Sequence, residues 1–270
     1  MAETPALAGF VRAHDPDRFL CLLFAPAAGR DALLALTAFN HELARAREAA
    51  TLPIAALIRL QWWREAVEEA AAGKPARRHE VAGPLHAAVA AGALDPALLL
   101  AMVEAREIEA EEGAIATEQD FVTWLRGTAG GWSAAAGAAL GATEAQREIL
   151  RALGAAYGLA GVLRAMPAQA RRGRCLLPRD RLARQGLTAE QAVAAPEAPP
   201  LRALVAEMAA EGAVALAGAD RGLPTALVAA ALPAVLARRD LARLAAGGMP
   251  EGRGIADRLA VTLAGLLGRA

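Results

Sequence analysis

Apolar side chains recur along the chain with a helical period and nowhere with the alternating period of a strand. Asp31–Ala50 places Leu33, Leu34, Leu36, Phe39, Leu43 and Ala46 near helical spacing, with Pro53 as the stop or restart. Pro53–Ala72 repeats the pattern with Leu57, Leu60, Trp62 and Val67 and ends at Gly73. Leu85–Ala91, Pro96–Glu112 and Glu118–Leu140 follow, separated by Gly92–Pro96 and by Gly113. Thr143-Glu144 reads as a cap opening Thr143–Ala165, with the stop at Pro167. Pro196–Pro200 is the clearest loop, and Leu201–Gly218, Pro224–Ala246 and Gly252–Leu267 complete the helices. No repeat of 20–50 residues recurs. The pattern predicts one all-α domain over residues 1–270, bundle-like or orthogonal.

Composition agrees. Alanine fills 75 of the 270 positions, and alanine favours helix over strand. Aromatic residues supply only 4%, so the core must be built mainly from Leu, Val and Ala. Twenty-nine basic and 29 acidic residues cancel, which removes any global field for nucleic acid and makes an anion site a local matter. Lys74 is the only lysine, as expected of a GC-rich bacterial genome. Cys21 and Cys175 stand alone, with no zinc spacing and no disulfide framework. Met1–Phe10 carries Glu3 and Pro5 where an export signal needs a basic start and an apolar run. A cytoplasmic location, possible also at the inner-membrane surface, is the expectation. The uncharged stretches Gly127–Thr143 and Gly222–Ala237 fall short of the roughly 20 apolar residues of a spanning helix and read as core. The final helix, which has the composition to lie on lipid, reads as core too.

Four segments depart from a generic Ala/Leu helix. Phe39–Glu48 mixes His41, Glu42, Arg45, Arg47 and Glu48 with apolar positions; an Arg45–Glu48 pair at i,i+3 is the plain reading. Arg59–Glu65 holds Gln61 and the adjacent Trp62 and Trp63, one ring suited to the core and the other to a surface groove. Glu104, Glu107 and Glu111 fall on one predicted helical face, either solvated or able to attract Mg²⁺. Tyr157–Pro178 carries Gly158 and Gly161, which permit close backbone approach, and then Arg171, Arg172 and Arg174 in a loop that is either a basic surface or a phosphate clamp.

The order of Arg18–Pro26, Arg30–Asn40, Arg59–Arg64, Gly127–Gly130 and Val162–Arg164 with Arg172–Pro178 resembles the squalene/phytoene synthase family over about residues 15–185. The resemblance implies an isoprenoid-synthase fold with a central cavity. Active members of that family condense two prenyl diphosphates head to head, with two aspartate-rich motifs holding Mg²⁺. On this chain the first motif falls on Ala44-Arg45-Ala46-Arg47-Glu48 and the second on Ala165-Met166-Pro167-Ala168-Gln169, leaving Glu48 as the one surviving carboxylate. The family's upstream Gln and Asn align with Gly158 and Gly161, its active-site Tyr with Arg126, and its Arg before the first motif with His41. Mg²⁺ needs several hard anionic oxygens, so no metal site and no resident cofactor are expected. The resemblance is nearest to a divergent branch that includes a mitochondrial complex I assembly factor.

The expected function is therefore a non-catalytic prenyl-lipid-binding or assembly protein. It would hold a prenyl diphosphate or anionic lipid in the cavity, through His41, Arg45, Arg47, Glu48, Gln61, Trp62, Arg126, Tyr157, Arg164, Arg171 and Arg174. Its protein partner would be a respiratory-complex subunit or an active synthase. The alternative is an active or accessory head-to-head prenyltransferase acting on farnesyl or geranylgeranyl diphosphate. That enzyme would use Mg²⁺ held by Glu48 and the Glu104, Glu107 and Glu111 face.

Overall fold

A computed structural model describes residues 4–48, 50, 52–110, 114–219, 222–248 and 252–270. Glu111, Glu112 and Gly113, like Met1–Glu3, lie outside the described residues. The described residues form α-helices and short 3₁₀ turns, without a strand. In chain order the helices are α1 (Thr4–His14), α2 (Pro16–Leu22), α3 (Ala27–Glu48), α4 (Pro53–Ala71) and α5 (Ala82–Ala90). Next come α6 (Pro96–Ala105), α7 (Glu118–Gly127), α8 (Ala129–Ala139), α9 (Glu144–Arg171) and α10 (Arg179–Arg184). The last are α11 (Ala189–Ala194), α12 (Pro199–Ala219), α13 (Val228–Ala231), α14 (Pro233–Ala245) and α15 (Ile255–Leu267).

The axis of the bundle is α9. Thr143 starts it with a reciprocal capping box, its hydroxyl accepting from Gln146 N while Gln146 Oε1 accepts from Thr143 N at 2.9 Å. By length and composition alone this helix is apolar enough to cross a membrane. Here α7, α8, α12 and α14 pack around it instead. Its approach to α8 depends on missing side chains. A Cβ at Gly154 would sit 2.5 Å from Ala129 O, and one at Gly130 2.6 Å from Arg151 O. Gly158 is also tight, at 2.8 Å from Ala129 Cβ, whereas Gly161 has open space. The close approach therefore runs through Gly154 and Gly158, not Gly161.

Buried aromatic residues complete a core otherwise made of Leu, Ala and Val. Trp132 and Phe39 are fully buried. Trp132 Nε1 donates to Thr37 Oγ1 at 3.2 Å, and that hydroxyl donates to Leu33 O at 2.7 Å, so the buried ring keeps its polar atom satisfied and ties α8 to α3. The adjacent tryptophans divide as expected, Trp63 buried and Trp62 half-buried. The middle of each uncharged stretch is core, Ala129–Gly137 and Leu227–Ala234 being buried throughout, while Gly222–Ala226 and Ala138–Thr143 are exposed or half-buried.

Several boundaries differ from the expected ones. The helix from Pro96 ends at Ala105 and gives way to a 3₁₀ turn over Glu107–Ala110, so Glu104 and Glu107 do not share a continuous helical face. Glu118–Leu140 bends at Thr128 (φ −90°, ψ −86°). Pro167 does not stop α9, which runs on to Arg171. Pro224–Ala246 breaks into a 3₁₀ turn, α13 and α14, with Pro233 starting the last. Leu57 faces solvent. Arg45 pairs with Glu42 at 3.7 Å, not with Glu48. The expectation that α15 is core is overturned as well: only Asp257 and Val261 of it are buried.

Candidate functional site

Two pockets share α9 as a wall. The first, of about 250 Å³, opens between α3, α7 and α9, where Ala44 and Glu48 face Gly158, Gly161, Ala165 and Gln169. The small side chains on both helices leave this space. Leu125, Ala129 and Val162 supply apolar lining, while Arg18, Arg106, Arg174 and Glu109 supply its charged side.

Glu109 organises that charged side. Its buried carboxylate accepts from Trp124 Nε1 at 2.8 Å and from Arg106 Nη1 at 2.6 Å. Arg106 Nη2 reaches Asn40 Oδ1 and Arg174 Nη2 reaches the Glu109 carbonyl, each at 3.5 Å. Burial pushes the Arg174 guanidinium below the ordinary arginine value, with Glu109 pulling the other way; an arginine stays protonated in spite of it. At the rim Glu48 accepts from Arg172 Nη1 at 3.0 Å.

Arg18 enters the same pocket as a buried cation. Asp15 caps α2 through Arg18 N and also binds Arg18 Nη1 at 2.8 Å. The guanidinium lies 4.6 Å from the Trp132 ring centre and 4.9 Å from that of Tyr157, a cation–π sandwich. Burial is the largest influence and works against its charge, but Asp15, Tyr157 and Cys21 together outweigh it and the net shift is upward. Two buried polar atoms on the pocket walls have no partner, the donor Arg18 Nε and the acceptor Gln169 Oε1.

The second pocket, about 690 Å³, lies on the next face of α9 and is lined by His14, Asp17, Tyr157, Arg164, Arg171 and Arg253 among others. An ion-pair network closes its floor. Arg253 donates to Asp17 Oδ2 at 2.8 Å and to Asp240 Oδ1 at 2.7 Å, and Arg164 Nη1 donates to Asp240 Oδ2 at 3.2 Å. Tyr157, which borders both pockets, donates its hydroxyl to Asp17 Oδ2 at 3.3 Å; burial pushes this phenol well above its ordinary range.

The residues nominated from the sequence are thus dispersed. Glu48 and Arg174 line the smaller pocket, Arg164 and Arg171 the larger, and Tyr157 both. Gln61 and Trp62 belong to a separate groove with Leu57 and Ile58. His41 stacks on His14 at 4.6 Å between ring centres, with Phe10 on its edge. Arg47 is turned to Ala50 O at 3.0 Å. Arg126 pairs with Glu148 on the surface. Arg18, Arg106, Glu109, Trp124, Asp240 and Arg253 escaped the sequence reading. Two local signals were present, the capping aspartate three residues before Arg18 and the i,i+3 spacing of Arg106 and Glu109.

The fold defines a class. Over 98% of this chain and 95% of the other, it superposes on a ligand-bound dehydrosqualene synthase with a TM-score of 0.79 at 14% identity. The squalene synthase HpnC from Alicyclobacillus acidocaldarius gives 0.69 at 17% identity, over 98% and 94%. The protein has the all-α isoprenoid-synthase fold.

The squalene/phytoene synthase profile matches residues 11–262, and the chain belongs to that family. Among curated proteins, the NADH dehydrogenase (ubiquinone) complex I assembly factor 6 of Rattus norvegicus is 28% identical over 227 residues, 84% of this chain and 68% of the rat protein. The Homo sapiens protein of that name is also 28% identical, over 181 residues, which are 67% of this chain and 54% of the human one.

Proposed function

We propose that this protein is a non-catalytic member of its family, which binds the anionic head of a prenyl compound directly through arginine and serves in assembly of respiratory complex I. The observation that carries the binding reading is the smaller pocket, whose lining combines Arg18, Arg106 and Arg174 with the apolar Leu125, Ala129 and Val162. Arginine recognises diphosphate oxygens by charge-assisted hydrogen bonds and does so without a metal. Arg18, one of these arginines, has its Nε buried without a partner. A volume of about 250 Å³ sits just under the roughly 300–1,000 Å³ of small-molecule sites, so the ligand is a head group with a short apolar stretch.

The donors present do not suit a Mg²⁺ cluster. Glu48 is already held by Arg172, and Glu109 by Arg106 and Trp124. Mg²⁺ asks for oxygen ligands in near-octahedral order, and three cations already line this pocket. The assembly role is supported by the relatives above.

The test is calorimetric titration with farnesyl diphosphate in EDTA. Saturable binding, weakened about tenfold or more by Arg18→Met, is the expected result. Mg²⁺-dependent release of pyrophosphate, abolished by Glu48→Gln, would overturn the reading in favour of a head-to-head prenyltransferase. For the assembly role, native purification should recover complex I subunits; recovery of an active prenyl synthase instead counts against it.

A further inference from the structure

α15 turns only one side to the rest of the molecule. Asp257 is buried against Arg239 and Arg243 of α14, and Val261 is buried beside it. Gly265 lies on the Phe24 ring, where a Cβ would come within 2.6 Å. The other side carries Ile255, Leu259, Leu263 and Leu266, each more than half exposed, and Leu267 extends it. Their offsets of 0, 4, 8 and 11 residues put them within about 80° of one another around the helix. Leu23, at the end of the neighbouring α2, is also half exposed. Single exposed leucines need no explanation, but an unbroken row along a whole helix marks an interaction surface.

The charges on this helix distinguish its occupant. From Ile255 to Ala270 the only acidic residue is Asp257, and it faces inward. The cations are Arg258 and Arg269, both exposed; Arg258 flanks the leucine row by its helical angle, and Arg269 follows the left-handed Gly268 that ends the helix. A leucine face edged by arginine, with no carboxylate on that side, has the pattern of a helix lying in an anionic lipid interface. A second copy docked on the same row would bring like charges together with no acid on α15 to pair them.

We propose that α15 is a membrane-docking helix, with Ile255, Leu259, Leu263 and Leu266 at the headgroup–acyl boundary of an anionic bilayer and Arg258 and Arg269 on lipid phosphates. The proposal stands independently of what the α9 pockets bind. It is tested by flotation of the full chain with vesicles of phosphatidylglycerol and phosphatidylcholine, beside vesicles of phosphatidylcholine alone. Wild type floats with the anionic vesicles, and the double variant Leu259→Asp/Leu263→Asp lowers that fraction by about tenfold or more. Arg258→Glu/Arg269→Glu keeps the wild-type Tm and loses the preference for anionic lipid. Three results overturn the proposal: wild type that stays soluble with both vesicles, a leucine double variant that floats like wild type, or a solution dimer that the leucine variant dissociates.

Discussion

Arg253→Met removes the centre of the network under the larger pocket while keeping an unbranched apolar stem. Arg253 joins Asp17, at the start of α2, to Asp240 in α14, so the loss loosens a contact spanning almost the whole sequence. Each broken bond is charge-assisted, worth about 1.5–3 kcal/mol in isolation. Neither carboxylate is left bare. Asp240 keeps Arg164 at 3.2 Å and Arg243 at 3.6 Å, and Asp17 keeps the Tyr157 hydroxyl. Each bond is therefore discounted to the lower end of its range, and the total loss is about 2–3 kcal/mol, below the roughly 3–5 kcal/mol of a fully orphaned buried charge. For a chain of this size that corresponds to a Tm lower by about 5–10 °C. The control is Arg126→Met, whose pair with Glu148 has side chains 41% and 48% exposed, and which should cost no more than about 0.5 kcal/mol. Urea unfolding followed by far-UV circular dichroism reads both, provided the m-value is unchanged. A loss under about 0.5 kcal/mol for Arg253→Met, or equal losses for the two variants, would refute the assignment of this network as structural support.

Two glycines of α9 should respond oppositely to alanine. Gly154→Ala drives a methyl into Ala129 O and Ser133 and should lower stability by about 2–4 kcal/mol, whereas Gly161→Ala meets open space and should gain about 0.5–1 kcal/mol in helix propensity; thermal melts separate them. Acidification should strain the α1–α3 contact. Burial, and then the neighbouring His14, hold the His41 imidazole below its ordinary value, with Glu42 and Asp15 opposing and Arg45 adding to the effect. The unfolded chain therefore takes up this proton first, and stability falls as pH drops below the ordinary imidazole value of about 6.5, levelling once the folded site is protonated too. From pH 7.5 to pH 5.5 the urea midpoint of wild type should fall relative to that of His41→Phe, and a constant difference would count against the account.

Helices governed by local signals were legible in the sequence. The Thr143 cap, Pro53 as a helix start and the alanine-rich α8 core all depend on neighbours within four residues. α1, α2, α10 and α11 escaped notice because they are short or lie outside the long apolar runs. The end of α6 was missed because Glu107–Ala110 has good helical composition, while the chain there turns to bury Glu109 against Trp124 and Arg106. That turn is a tertiary demand which no local propensity encodes. The site was less legible than the fold for the same reason. Arg253 and Asp17 are 236 residues apart, and an arginine that neutralises a buried aspartate has the same local sequence as one in water. The motif positions fall on α3 and α9, which both wall the smaller pocket; they could not show that Arg126 and Arg45 pair with Glu148 and Glu42 instead of lining it.

Pro167 lies inside α9, and its ring nitrogen carries no hydrogen. The carbonyl of Leu163 is thus without its usual donor four residues on, midway along a helix that walls both pockets. The junction at Pro167 is crossed by one amide bond fewer than an ordinary turn, so the turn beyond it, Ala168–Arg171, can open separately from the turns before it. Amide hydrogen exchange along this one helix should then fall into two rates, slow through the stretch packed on α8 and faster over the last turn at the mouth of the larger pocket. A helix continuous from Glu144 to Arg171 is in this respect two mechanical units.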